Sequence, residues 1–226
     1  MKSTRGFSAT EGLILLALLI LGAAVVVPVY LSHGQKSRQQ AARSNLVQWG
    51  IALNLYLIEN RNELPSADPA MAQVWFNVLP PYLSQPPLKD LQNTPHAIRE
   101  LWINPAAPKR EPAQGESYFF YYGMNAWLGS GKAASRLRIY EVEDPTHTVF
   151  MTETFSEDPR VLPHTVDYRF GKSGSANAMA HVLFCDGHVE AIPRSKLSDD
   201  AAAYDSRSAM TQPTWVPYYN APAPNP

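Results

Sequence analysis

From residue 12 to residue 31 the chain reads GLILLALLILGAAVVVPVYL, twenty positions without a charge. At ~1.5 Å rise per residue, a helix of that length covers the ~30 Å hydrocarbon core of a bilayer, so the run predicts a transmembrane helix. The pattern then changes without a turn signal. Ala42, Leu46, Trp49, Leu53, Tyr56 and Leu57 recur at the three-and-four spacing of an amphipathic helix face, with Asn45, Gln48, Asn54 and Glu59 at other positions. One helix from Phe7 to Asn60, ~80 Å long, is therefore expected to be apolar all round at first and one-sided afterwards. Pro28 and Gly34 are places where it can bend, and Leu64-Pro65-Ser66 stops it.

Residues 65 to 117 are broken by prolines (LPPYL, QPPL, NTP, NPAAPKREP), which leaves room for short helical turns around Met71 to Leu79 and Leu88 to Gln92. From Ser117 the character shifts to aromatic and β-branched runs, SYFFYYGMNAWL, HTVFMTETF and HVLFCDGHVEAI. The last run predicts a hairpin. His181 to Cys185 and His188 to Ile192 read as antiparallel strands joined by a type I′ turn at Asp186-Gly187, residue types that tolerate positive φ. From residue 212 the polar, proline-rich tail reads as extended or disordered, with aromatics able to pack back. The fold class expected is α+β: a long N-terminal helix on a C-terminal antiparallel sheet, with long proline-rich connections.

Composition narrows the function classes. The 226 residues carry a net charge of -1, which supplies no basic field for displacing counterions from phosphates, so nucleic acid is excluded as a partner. The single cysteine, Cys185, allows no intramolecular disulfide, so the fold rests on packing. Twenty prolines and eleven tyrosines favour irregular connections and turn-rich β structure over a helical bundle.

The apolar run has two readings. Lys2 and Arg5 make a charged leader, and Leu21-Gly22-Ala23-Ala24 offers small residues for a secretory cleavage. Against that reading, Glu11 interrupts the join between leader and core, and the apolar run continues through Val25 to Leu31. A carboxylate at the edge of hydrocarbon costs a few kcal/mol and usually has a partner. The stretch RGFSATE followed by the apolar run resembles the N-terminus of type IV prepilins and type II secretion pseudopilins. Counted from Phe7, Glu11 is the fifth residue and Pro28 the twenty-second, the places at which that family has its glutamate and commonly a proline.

The resemblance implies cleavage after Gly6 by a prepilin peptidase/methyltransferase and N-methylation of Phe7. It also implies that Glu11 faces the new α-amino group of a neighbouring subunit. An ion pair between apolar helices favours one register, because the alternatives leave a charge unpaired. The partners implied are other pilin-like subunits in a homo- or hetero-filament, an inner-membrane assembly platform and membrane lipid. The localisation implied is the bacterial inner membrane, single-pass, with the N-terminus cytoplasmic and the head outside. The basic residues on the two sides, Lys2 and Arg5 against Lys36, Arg38 and Arg43, do not choose an orientation by themselves.

The remainder resembles pilin-like proteins with a C-terminal H-X9-DG domain. Here Asp186-Gly187 supplies the DG, and Ala176 stands where that pattern has its histidine. The expected organisation is a leader at 1–6, a transmembrane helix at 7–31, its amphipathic continuation at 32–64, an α+β head at 65–211 and the tail at 212–226. Gly6 and Phe7 are the processing residues, Glu11 and Pro28 the assembly residues, and Asp186 and Gly187 the turn.

Other chemistry has weaker support. His181, Asp186 and His188, with His164 nearby, carry ligand types that suit zinc and would serve a membrane-tethered metal-binding or hydrolytic domain. The simpler reading gives Asp186 to the turn and the histidines to half-exposed strand positions. Cys185 reads as a small buried strand residue, and a Cys185–His188 nucleophile pair lacks an orienting third group. The segment GKSGSAN at 171–177 lacks phosphate-loop spacing and reads as a mobile loop. No catalytic, cofactor or metal residue is assigned, and a structural subunit is expected, not an enzyme.

Overall fold

The computed structural model describes residues 9–93, 101–108, 120–129, 136–171, 175–197 and 213–218, with side chains from residue 34 onward except 91–93. The chain divides into two units, residues 1–40 and 41–226. The described residues of the first form the opening part of helix α1 (Ala9–Glu59), whose backbone is helical through Pro28 and Gly34. Gly6 and Phe7 lie outside the described residues, as do the side chains of Glu11 and Pro28. Among the described residues no helix is long and apolar enough to cross a membrane, and the side chains of 12–31 are not among them.

The second unit is α+β. The later turns of α1 bury Ala42, Leu46, Trp49, Leu53, Tyr56 and Leu57, the face the spacing predicts. The helix ends at Glu59, one residue before the expected Asn60, where Arg61 and Asn62 adopt left-handed φ of 57° and 62°. The Asn62 N–H then donates to Leu57 O at 2.9 Å, which satisfies a carbonyl at the helix end, and the Asn60 side chain adds a second bond at 2.8 Å to Tyr56 O, which already accepts the Asn60 N–H. The chain leaving α1 is held by Leu64 N–H to Leu137 O and Ile139 N–H to Asn62 O, both 2.8 Å, and by an Arg136–Glu63 ion pair. The proline-rich stretch supplies a single helical turn, α2 (Trp75–Val78), and 3-10 turns at Pro80–Leu83 and Leu88–Asn93.

Among the described residues five strands make one sheet: β1 (Phe120–Asn125), β2 (Val149–Ser156), β3 (Arg160–Val161), β4 (Met179–Phe184) and β5 (Val189–Pro193), in the order β3-β1-β2-β4-β5. The expected antiparallel sheet is mixed. β3 runs parallel to β1, with Met124 opposite Arg160 and Asn125 opposite Val161, while the other pairings are antiparallel. Two residues are too few to show an alternating pattern, so this edge strand has no signature in the sequence. Its position is fixed by Pro159, whose carbonyl accepts from Met124 N–H at 3.0 Å and from the Trp75 indole at 3.1 Å.

One face of the sheet shares a core with α1, α2 and Trp102, in which Trp49 meets Trp75 and Trp102 edge-on at 5.5 and 5.1 Å. On the other face Val149, Val182, Phe184 and Ile192 pack with Leu197 and Trp215. The stretch 213–218, read from the sequence as part of an extended or disordered tail with aromatics able to pack back, places Trp215 in this second core and Tyr218 in the first. Thr214 bridges Thr148, and the Asn125 amide donates to Trp215 O at 2.7 Å.

α1 also departs from its expected pattern. Asn45, placed by periodicity off the buried face, is buried and donates to Ile103 O at 3.1 Å. The helix is also not one-sided. Val47, Ile51, Leu55 and Ile58 lie opposite the buried face, 36, 49, 42 and 77% exposed.

Candidate functional site

Asp186 and Gly187 close the β4–β5 hairpin, though not as a two-residue type I′ turn. The loop has three residues: Gly187 N–H donates to Phe184 O at 3.0 Å and Phe184 N–H to His188 O at 2.9 Å. Gly187 alone has positive φ, 93°, and Asp186 does not. This is a β-turn followed by a glycine bulge. The neighbouring turn accounts for it, since Cys185 N–H donates to Thr148 O at 3.0 Å and Asp186 N–H to Pro145 O at 3.2 Å. Asp186 spends its carboxylate locally, Oδ1 accepting from His188 N–H at 3.1 Å and lying 2.6 Å from His188 Nδ1.

The loop is seated on α1. A Cβ on Gly187 would lie 2.7 Å from Asn54 Nδ2, and one on Gly50 would lie 2.9 Å from Gly187 O. The DG pair is therefore the place where the sheet's last hairpin meets the helix. An isolated glycine beside Trp49 in a helical pattern is the signal that could have pointed to this contact, since glycine there costs about 1 kcal/mol relative to alanine and calls for a packing reason.

The histidines do not converge. His181 lies in the core, 2% exposed, against Glu153 at 0%. Glu153 Oε2 accepts from His181 backbone N–H at 3.0 Å, and Oε1 lies 3.1 Å from His181 Nδ1. His188 instead stacks on Phe184 at 4.5 Å and pairs with Asp186. His164 sits in a 3-10 turn, Pro163–Thr165, and is exposed. Among the described residues no group of three potential ligands could hold a metal ion, so the His181–Asp186–His188 site has no geometric basis. Cys185 is buried, and burial with the adjacent Asp186 charge pushes its thiol well above the usual range. A thiol held protonated in this way is a poor nucleophile. The segment 171–177 lies partly outside the described residues.

Sequence reading missed the Glu153–His181 pair. Glu153 stands opposite Tyr122 in the β1–β2 ladder, inside HTVFMTETF, read only as an aromatic and β-branched run. β2 and β4 pair through Thr152 and Val182; past that point Thr154 bridges Val166, and Phe170 bridges Met179. Asp167 N–H donates to Glu153 O at 3.0 Å, and the Phe170 ring lies 4.7 Å from the His181 ring. The pair thus joins β2, β4 and the segment between them.

Burial, opposed by the hydrogen bonds to His181 and reinforced by nearby Asp167, raises Glu153 above the ordinary carboxylate range. A folded-state pKa above the unfolded one means that the native state binds more protons in the window between them. Stability from this group is present below the unfolded value and is lost as pH rises through the folded value. Urea titrations across mildly acidic to neutral pH are expected to show this slope in the wild type and a reduced slope in Glu153→Gln, which has no proton to release. An unchanged slope in the variant would assign it to other groups.

No family model, curated protein or solved structure matches this chain.

Proposed function

We propose that this chain is a prepilin-like structural subunit of a type II secretion or type IV pilus-like filament. It is cleaved after Gly6 and N-methylated at Phe7, held in the inner membrane by the 7–31 helix, and carries its head on the outer side. The observation that carries this reading is the register of Gly6, Phe7, Glu11 and Pro28 against the twenty uncharged residues from Gly12 to Leu31. The unbroken backbone of α1 and the α+β head on its later turns support it.

The mechanism is assembly. Cleavage creates a charged amine at Phe7. In a dry bundle of apolar helices, a neighbour's Glu11 offsets that charge, and every other register leaves both charges unpaired. Glu11→Ala and Glu11→Leu are expected to be cleaved at near wild-type levels while the assembled fraction falls about tenfold or more, since each ~1.4 kcal/mol is a factor of ten. Immunoblots of membrane and sheared-filament fractions measure both quantities. Normal assembly by both variants would remove the ion pair from the account.

A further inference from the structure

Segment 213–218 is held in the way a sheet takes up an extended peptide, by backbone bonds and pockets for single side chains. Thr214 N–H donates to His147 O at 2.8 Å and Thr214 O accepts from Val149 N–H at 2.9 Å, one rung of parallel pairing around Thr148. Pairing stops there, because Val216 N–H turns to Thr214 Oγ1 at 3.3 Å and Pro217 has no N–H. Pro217 O then accepts from Glu143 N–H at 2.8 Å. The walls stand without the segment, since β1, β2, β4 and β5 pair with one another.

Two polar groups define the seat. Asn125 is 0% exposed; its Nδ2 donates to Trp215 O at 2.7 Å and to Val149 O at 2.8 Å, and its Oδ1 accepts from Trp127 N–H at 3.0 Å. Half of the amide's donating capacity is thus spent on a carbonyl that no strand of the sheet supplies. The Trp215 ring fills the pocket beside Phe184, Leu197 and Trp127, yet its buried indole N–H meets no acceptor among the described residues. The pocket takes the ring by shape alone. We infer that the second face of the sheet is a peptide-binding cleft whose resident ligand is the chain's own segment 213–218, seated until an extended peptide with an aromatic anchor displaces it. Tethering keeps a ligand of modest affinity in place, because a short linker holds it at an effective concentration of about a millimolar. The inference needs only the head and is independent of the proposed subunit reading.

The test uses the full chain, purified in detergent, with a specific protease site inserted between Ser206 and Arg207. Cut and uncut chains are titrated with a fluorescein-labelled peptide of residues 212–220, QPTWVPYYN, and binding is read by fluorescence anisotropy. Release of the cut fragment is followed by mass spectrometry. The expected result is that the cut chain keeps a cooperative thermal melt, exchanges its fragment for the labelled peptide and binds it saturably. The uncut chain, whose tethered segment competes, is expected to bind the same peptide at least about tenfold more weakly. A peptide carrying Trp215→Ala is expected to bind the cut chain about a hundredfold more weakly, in line with the loss of a fully buried aromatic ring; because the substitution is in the added peptide, the folding of the head is untouched. A fragment that stays bound without exchanging, or a head that loses its cooperative melt on cutting, would make the segment an integral part of the core and overturn the inference. Equal binding of the wild-type and Trp215→Ala peptides would overturn it as well.

Discussion

His181→Ala is expected to destabilise the head by about 1–3 kcal/mol, the range for leaving a buried polar group without its partner. Glu153 and His181 are 0 and 2% exposed, so truncating the imidazole leaves a carboxyl group with no water to turn to. The backbone N–H of residue 181 still donates to Oε2, which keeps the loss within that range. Glu153→Gln provides the contrast. Its amide oxygen still accepts from that N–H and the buried charge is gone, so stability near neutral pH is expected to fall by less than about 1 kcal/mol or to rise. Urea denaturation of both variants, read by tryptophan fluorescence, decides the matter. Equal losses would mean that the pair contributes by shape and not by charge.

Gly187→Ala is expected to cost about 2 kcal/mol. A φ of 93° is strained for any residue with a Cβ, and the new methyl would sit 2.7 Å from Asn54 Nδ2. The two causes can be separated. Adding Asn54→Ala to Gly187→Ala relieves the contact and leaves the backbone strain, so about half of the loss should return. Gly50→Ala opposes two effects. Alanine gains up to about 1 kcal/mol in helix propensity, but its Cβ would lie 2.9 Å from both Gly187 O and Leu183 Cδ1. The carbonyl cannot rotate away, and overpacking of this kind costs about 1–3 kcal/mol. The net expectation is a loss of about 1 kcal/mol. A gain would show that the hairpin lifts off the helix at little cost.

What the sequence made legible followed from periodicity in the helix and from residue type in the sheet. The buried face of α1 was readable because its apolar residues recur in phase with the helix, and β1, β2, β4 and β5 lie within the aromatic and β-branched runs. What it hid depended on contacts between distant segments. The hairpin loop takes its three-residue form from hydrogen bonds to Pro145 and Thr148, which no local pattern encodes. Glu153 looks like an ordinary strand position until His181 is placed beside it from 28 residues away. The second apolar face of α1 was present in the letters, but the stronger set of Leu46, Trp49 and Leu53 drew the helix as one-sided. Asn45 was hidden for the converse reason, as a polar residue whose partners Ile103 and Tyr122 come from other segments.

The central claim concerns the N-terminus, and mass spectrometry of the N-terminal peptide from the native host tests it most directly. The account predicts a chain that begins at Phe7 and carries one methyl group on its α-amine. An N-terminus near Val25, or a leader left uncut, would contradict it.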